Sequence, residues 1–222
     1  MRNLIKPSIQ CITYLLFLTI MVGCAHAIKV LPYPTTSTVF LDGNQIGKGV
    51  TTVILHDKRR NYELLVEGPP GYFSRVTYIN YRTPPSIEVT PPKDNSYNET
   101  VQANDIVNKW IILPINKKYE GLEAWRKATS SITTAISDFQ VLDQKSFYLK
   151  TAWKIAGKPN DPLRTRSRII FAVDNPDPKE LSFKIRIESE RINRKGETVE
   201  RISRTFQDFI DAYETTKARL KN

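Results

Sequence analysis

Between Thr36 and Tyr81 short β-branched and aromatic runs are separated by turn residues, as expected of successive strands. Val39-Phe-Leu41 runs into Asp42-Gly43, a dipeptide that accepts the positive φ angles of a tight hairpin turn, so a hairpin is expected there. Thr51-Thr-Val-Ile-Leu55 predicts the next strand, and Arg59-Arg-Asn61 a turn. Tyr62, Leu64 and Val66 then alternate with Glu63, Leu65 and Glu67 as a half-buried strand, and after Gly68-Pro-Pro-Gly-Tyr72 a further strand is expected over 73–81. Gly47 is expected to make a left-handed bend, and Tyr72 to cap the open end of a two-layer β core.

Proline, asparagine and serine concentrate at 83–85 and 90–98, the composition of a connector, which places a domain boundary within 91–104. Beyond it Trp110-Ile-Ile-Leu113 reads as extended. Leu122, Trp125, Thr129, Ile132, Ile136 and Phe139 recur every three or four residues, the stripe of an amphipathic helix. Strands are expected over 146–155, 163–173 and 181–192, the last two joined by the proline-broken turn 174–179. On their apolar faces lie Phe147, Leu149, Thr151, Trp153 and Ile155, then Ile169, Phe171 and Val173, then Phe183, Ile185 and Ile187. A second amphipathic helix closes the chain, with Thr205 and Asp208 in capping-box-like positions, Phe206, Phe209, Ile210, Tyr213 and Leu220 on one face, and Lys217, Arg219 and Lys221 near its negative end. The expected fold class is α+β: a small antiparallel β-module over 34–90, then an α-β-β-β-α domain over 105–222 with helices on one face of an antiparallel sheet.

The start of the chain sets the compartment. Arg2 and Lys6 precede an apolar run, 12–22, too short for a comfortable membrane span of about 20 residues, which predicts an export signal over 1–23. Cys11 leaves with it, so at most Cys24 remains and no intrachain disulfide can form. The formal net charge of +10 falls to +8 without Arg2 and Lys6 and is spread along the chain. Export makes nucleic acid an unsuitable partner and points a basic surface toward anionic headgroups, acidic glycans or an acidic protein face.

Met21-Val-Gly-Cys24 resembles a bacterial lipobox, which implies that Cys24 is acylated and becomes the mature amino terminus, with 24–33 as a tether. The resemblance also implies that Ala25, not being aspartate, permits transfer to the outer membrane. Ala25-His-Ala27 offers a competing small-x-small cleavage site, which would leave a soluble periplasmic protein. Pro34, Val39-Phe-Leu-Asp-Gly43, Gly47, Thr51-Thr52 and Gly71-Tyr72 together resemble the PEGA family, a small β-module of bacterial envelope proteins. Glu123-Ala-Trp125 and Thr151-Ala-Trp153 give the second half a likeness to helix-grip domains of envelope lipoproteins, an architecture that carries no binding residues over.

The charged feature of the second half is Arg164-Thr-Arg-Ser-Arg168, three arginines on one sheet face. Placing Phe171 opposite Phe183 sets Arg164 against Glu190, Arg166 against Glu188 and Arg168 against Arg186, while a slip of two residues changes partners and keeps faces. Arg168, Lys184 and Arg186 are then the least compensated cations and the candidate ligand-binding residues. His26 is placed in the leader or its exit, His56-Asp57 point to opposite sides of a strand, and no metal spacing or nucleophile elbow is present. The expected function is a non-enzymatic envelope lipoprotein, without cofactor or metal, anchored through Cys24 and docking envelope proteins. The alternative is a module binding acidic glycans or lipid headgroups on the basic face.

Overall fold

In a computed structural model of the chain, the described residues are 25–177 and 179–222. The stretch expected to be an export signal, and Cys24, lie outside them. The chain divides between Lys93 and Asp94 into two compact units, inside the expected boundary region.

The first unit contains β1 (His26–Pro32), β2 (Thr38–Leu41), β3 (Asn44–Lys48), β4 (Thr51–Leu55), β5 (Tyr62–Glu67), β6 (Arg75–Ile79) and β7 (Ser86–Val89). They form two sheets, β4-β1-β7 and β3-β2-β5-β6, in which only the β1–β7 pair is parallel. Ile28, Val30, Val53 and Leu55 of the first sheet share a core with Val39, Leu64, Val66 and Ile79 of the second. Asp42 and Gly43 turn the β2–β3 hairpin with φ of 48° and 81°, the paired positive angles that match strand twist.

Two expectations for this unit change. The stretch 24–33 is not a tether beyond its first residues: β1 buries Ile28 and Val30 completely, because the period-two pattern of 26–32 finds partners on both edges. One of those partners, β7, is hidden in the sequence by the prolines at 84–85 and 91–92. The left-handed bend falls on Gly49, at φ 75°, and not on Gly47. Gly47 serves by lacking a side chain, since a Cβ there would lie 2.4 Å from Thr51 Oγ1.

The second unit opens with an ordered segment where a linker is expected. Asp94, Ser96 and Thr100 are buried, and a single 3-10 turn spans Tyr97–Glu99. The Asp94 carboxylate accepts from Ser96 Oγ at 2.5 Å and pairs with Arg191 at 3.3 Å, while Ser96 Oγ meets Thr165 Oγ1 at 2.9 Å. The following elements are β8 (Val101–Gln102), β9 (Ile111–Pro114), α1 (Gly121–Ala135), β10 (Phe139–Asp143), β11 (Tyr148–Thr151), β12 (Lys154–Ala156), β13 (Leu163–Asn175), β14 (Ser182–Asn193), β15 (Thr198–Arg201), β16 (Arg204–Thr205) and α2 (Gln207–Lys221). A seven-stranded antiparallel sheet runs β10-β11-β13-β14-β15, with β12 beside β13 and β9 beside β14, and β16 pairs β8 separately. The unit is α+β.

Its core joins Trp125, Ala128 and Ile132 of α1 and Phe209, Tyr213 and Leu220 of α2 to Leu149, Ile169, Phe171, Phe183, Ile185 and Ile187 of the sheet. Trp125 lies 5.4 Å from Phe171 and 6.0 Å from Phe183, ring centre to ring centre, so the tryptophan of the first helix is core. α1 stops at Ala135, and Phe139 belongs to β10. No side chain caps α2, whose N-cap is Phe206, so Thr205 and Asp208 do not form the expected box.

The expected strand 146–155 breaks in two. The Thr151 hydroxyl accepts the Ile169 amide at 3.0 Å, and the Ala152 amide donates to Asp138 O at 2.9 Å, so the ladder is interrupted there. Beyond the break the faces invert: Ala156 is buried and Ile155 is 46% exposed. Trp153, expected among the apolar residues, faces the arginines instead.

Candidate functional site

The β13–β14 pair sets the candidate site. Its register is the two-residue slip: Phe171 lies opposite Ile185, Arg164 opposite Ile192, Arg166 opposite Glu190, Arg168 opposite Glu188 and Ile170 opposite Arg186. Inward and outward faces stay as expected, because a shift of two preserves the pleat. The partners improve. Arg166 donates to Glu190 through Nε at 2.7 Å, and Arg168 to Glu188 through Nε at 2.7 Å with a second nitrogen at 2.6 Å.

Arg186 reaches the other Glu188 oxygen at 3.5 Å, so two guanidinium groups share one carboxylate. Lys184 pairs with Asp174 at 3.3 Å. Thus the structure brings Arg168 and Arg186 together through Glu188 and sets Lys184 one position along, each with a carboxylate that the first register does not give it. Such half-exposed pairs contribute modestly to stability, but they fix long side chains in place. Ile170, directly across from Arg186, is only 8% exposed, as expected where basic side chains lie along the sheet with their methylene stems over apolar surface.

Two tryptophans complete this face. Trp153 stacks against Arg168 at 4.1 Å and Arg166 at 4.5 Å from guanidinium carbon to ring centre. Trp110, 44% exposed, lies 5.4 Å from the Lys184 ammonium and 5.9 Å from the Arg186 guanidinium. Side chains therefore run in the order Trp153, Arg168, Glu188, Arg186, Trp110 across the strands. Trp110 could be found in the sequence only as the residue before a strand, and Trp153 only if the break at Ala152 were foreseen.

The edge of β14 is held by Asn108. At φ 60° it takes a left-handed conformation that asparagine tolerates, its amide donates to Ile187 O, and its side chain accepts from the Ser189 amide and donates to Ser189 O and Ile202 O. This keeps the strand carrying Arg186 and Glu188 in register where β9 ends and β15 has not begun.

The two histidines belong to the first unit. His26 is the first residue of β1, where its ring bonds to Thr83 O and packs against Tyr81. His56 is exposed, and Asp57 accepts the Arg59 amide. Among the described residues no three His, Cys, Asp or Glu side chains gather in a way that would hold a metal ion. Near α1, desolvation pushes the Tyr119 phenol up, but hydrogen bonds and charge from Lys118 and Lys127 outweigh it and hold the group below its ordinary value. No helix among the described residues is long and apolar enough to cross a membrane. No model of a known protein family matches the chain, and no curated protein matches it.

Proposed function

We propose that the chain is a non-enzymatic lipoprotein of the bacterial cell envelope, held at the outer membrane through acylated Cys24, whose second unit docks a protein partner of a membrane-associated assembly. Its docking face is the outward side of the β13–β14 sheet, with both helices packed on the inward side in a one-sided arrangement like that of helix-grip domains, and its first unit is a PEGA-like module. The observation that carries the proposal is the row Trp153, Arg168, Glu188, Arg186, Trp110. Tryptophan and arginine dominate the energetic centres of protein interfaces, and side chains already held by ion pairs lose less freedom when a partner arrives. Processing before Cys24 agrees with β1: a cut after Ala27 would remove His26 and Ala27, which pair with Leu55 and Ile54, and the His26 bond to Thr83.

A photo-reactive amino acid at Ile112 or Ile155, both exposed and opposite Lys184 and Arg166, tests the face in living cells. The expected result is one and the same envelope protein cross-linked from both positions, and not from Lys217 on α2, with the adduct reduced about tenfold or more by Trp110→Ala with Trp153→Ala. Equal cross-linking from Lys217, or adducts indifferent to both tryptophans, would overturn the proposal. A second reading has its own support in the sharing of Glu188 by Arg168 and Arg186, two guanidinium groups on one carboxylate. It makes the same face a site for acidic glycans or headgroups and requires salt-sensitive binding that Arg168→Glu and Arg186→Glu abolish.

A further inference from the structure

The first unit has a charged end that the docking face does not use. β1 begins at His26, which pairs with Leu55, and the chain leaves β4 directly into His56-Asp-Lys-Arg-Arg60, all exposed. The loop between β6 and β7 returns to the same end: Thr83 O bonds His26, the Tyr81 ring lies 5.4 Å from the His26 ring, and the Tyr81 hydroxyl donates to Leu55 O at 2.8 Å. Lys58 stands 5.9 Å from that same tyrosine ring, and the neighbouring Arg82 is exposed. Arg60 is paired with Asp42 at 2.8 Å, and the Asp57 carboxylate, which accepts from the neutral Arg59 amide and keeps its charge, offsets one of the remaining cations. Among the described residues the Lys58, Arg59 and Arg82 side chains make no ion pair, so this end of the module carries available positive charge.

Its position along the chain gives that charge a target. Cys24 precedes His26 by two residues, a reach of about 7 Å at full extension. Ile28 is already completely buried, so the chain has no slack with which to hold the module away from whatever anchors Cys24. We infer that Lys58, Arg59 and Arg82 form a membrane-facing rim that binds the anionic headgroups of the bilayer carrying the lipid anchor. This rests on the reading of Cys24 as acylated. Phosphate-bearing headgroups then face the end of the module that carries the rim, and basic side chains are attracted to them over about one Debye length, 8–10 Å. A single anchor confines the module to the surface, and the rim fixes which end faces it.

The test uses the full mature chain with Cys24→Ser, which removes the acyl group and leaves residues 25–222 intact, in co-sedimentation with phosphatidylglycerol-containing or pure phosphatidylcholine vesicles. The expected result at low salt is about tenfold or greater preference for the anionic vesicles, lost at high salt. Lys58→Glu, Arg59→Glu and Arg82→Glu together should remove the preference, with Lys58→Gln and Arg59→Gln as the milder variant if the triple reversal fails to fold. Arg168→Glu with Arg186→Glu should leave it unchanged. Equal binding to both vesicles, binding indifferent to the rim charges, or loss only with Arg168 and Arg186 would overturn the inference. Mass determination of the native amino terminus reads acylation separately: an acylated Cys24 with no vesicle preference rejects the rim alone, and an unacylated terminus with a rim-dependent preference rejects the anchor alone.

Discussion

Asn108 shows how much one side chain holds. It supplies hydrogen bonds to both main-chain groups of Ser189 from a left-handed backbone conformation, at a place on the β14 edge where no strand is present to supply them. Asn108→Ala removes three side-chain hydrogen bonds and places a Cβ-bearing residue without local compensation at positive φ. Thermal unfolding should report a loss of about 2–3 kcal/mol. Asn108→Gly, which accepts the backbone angle, should lose less, and the difference between the two measures the conformational part. Nothing in the sequence separates this asparagine from those of the neighbouring connector, because its role depends on strand edges far away in the chain. By contrast Asp42-Gly43 was legible, since a type I′ turn is decided by two adjacent residues. The site residues Arg168, Lys184 and Arg186 were legible as a face, because alternation assigns faces; their true partners depended on register, which alternation leaves open by steps of two.

Among the elements, long β13 and β14 were recoverable from the alternation over most of their length, whereas β8 and β16, two residues each, are too short to show a period. β11 and β12 looked like one strand because Phe147, Leu149, Thr151, Trp153 and Ile155 alternate without a gap. The Thr151 hydroxyl, standing in for a ladder bond, is what breaks them and sends Trp153 to the charged face. The β10–β11 turn depends on one carboxylate. A hydrogen bond from Ser146 Oγ, then one from the Lys145 amide, hold the Asp143 carboxyl below its ordinary value. A depressed carboxyl contributes stability that is fully present above its unfolded pKa, about 3.9, and is lost as pH falls through the lower folded value. Carboxyl-carbon NMR titration should therefore show Asp143 still ionised at the pH where an unperturbed aspartate is half protonated, and Ser146→Ala should raise its midpoint. An Asp143 that titrates as an unperturbed aspartate in both proteins would contradict this.

At the scale of the whole molecule, the chain forms two compact units, and the boundary between Lys93 and Asp94 lies in the proline-rich stretch. What composition concealed was order on both sides of the expected module: β1 begins at His26, and Asp94, Ser96 and Thr100 are buried in the second unit. Their polarity and brevity resemble linker sequence, and only their hydrogen-bond partners, distant in the chain, distinguish them. The first strand starts two residues after Cys24, so the proposed lipid attachment, where present, has consequences for how the first unit meets a membrane. Mass spectrometry of the amino-terminal peptide from the membrane fraction of the native cell tests that attachment most directly: the account predicts a terminus at Cys24 carrying diacylglycerol and an acyl chain, and an unmodified peptide beginning at Ile28 would contradict it.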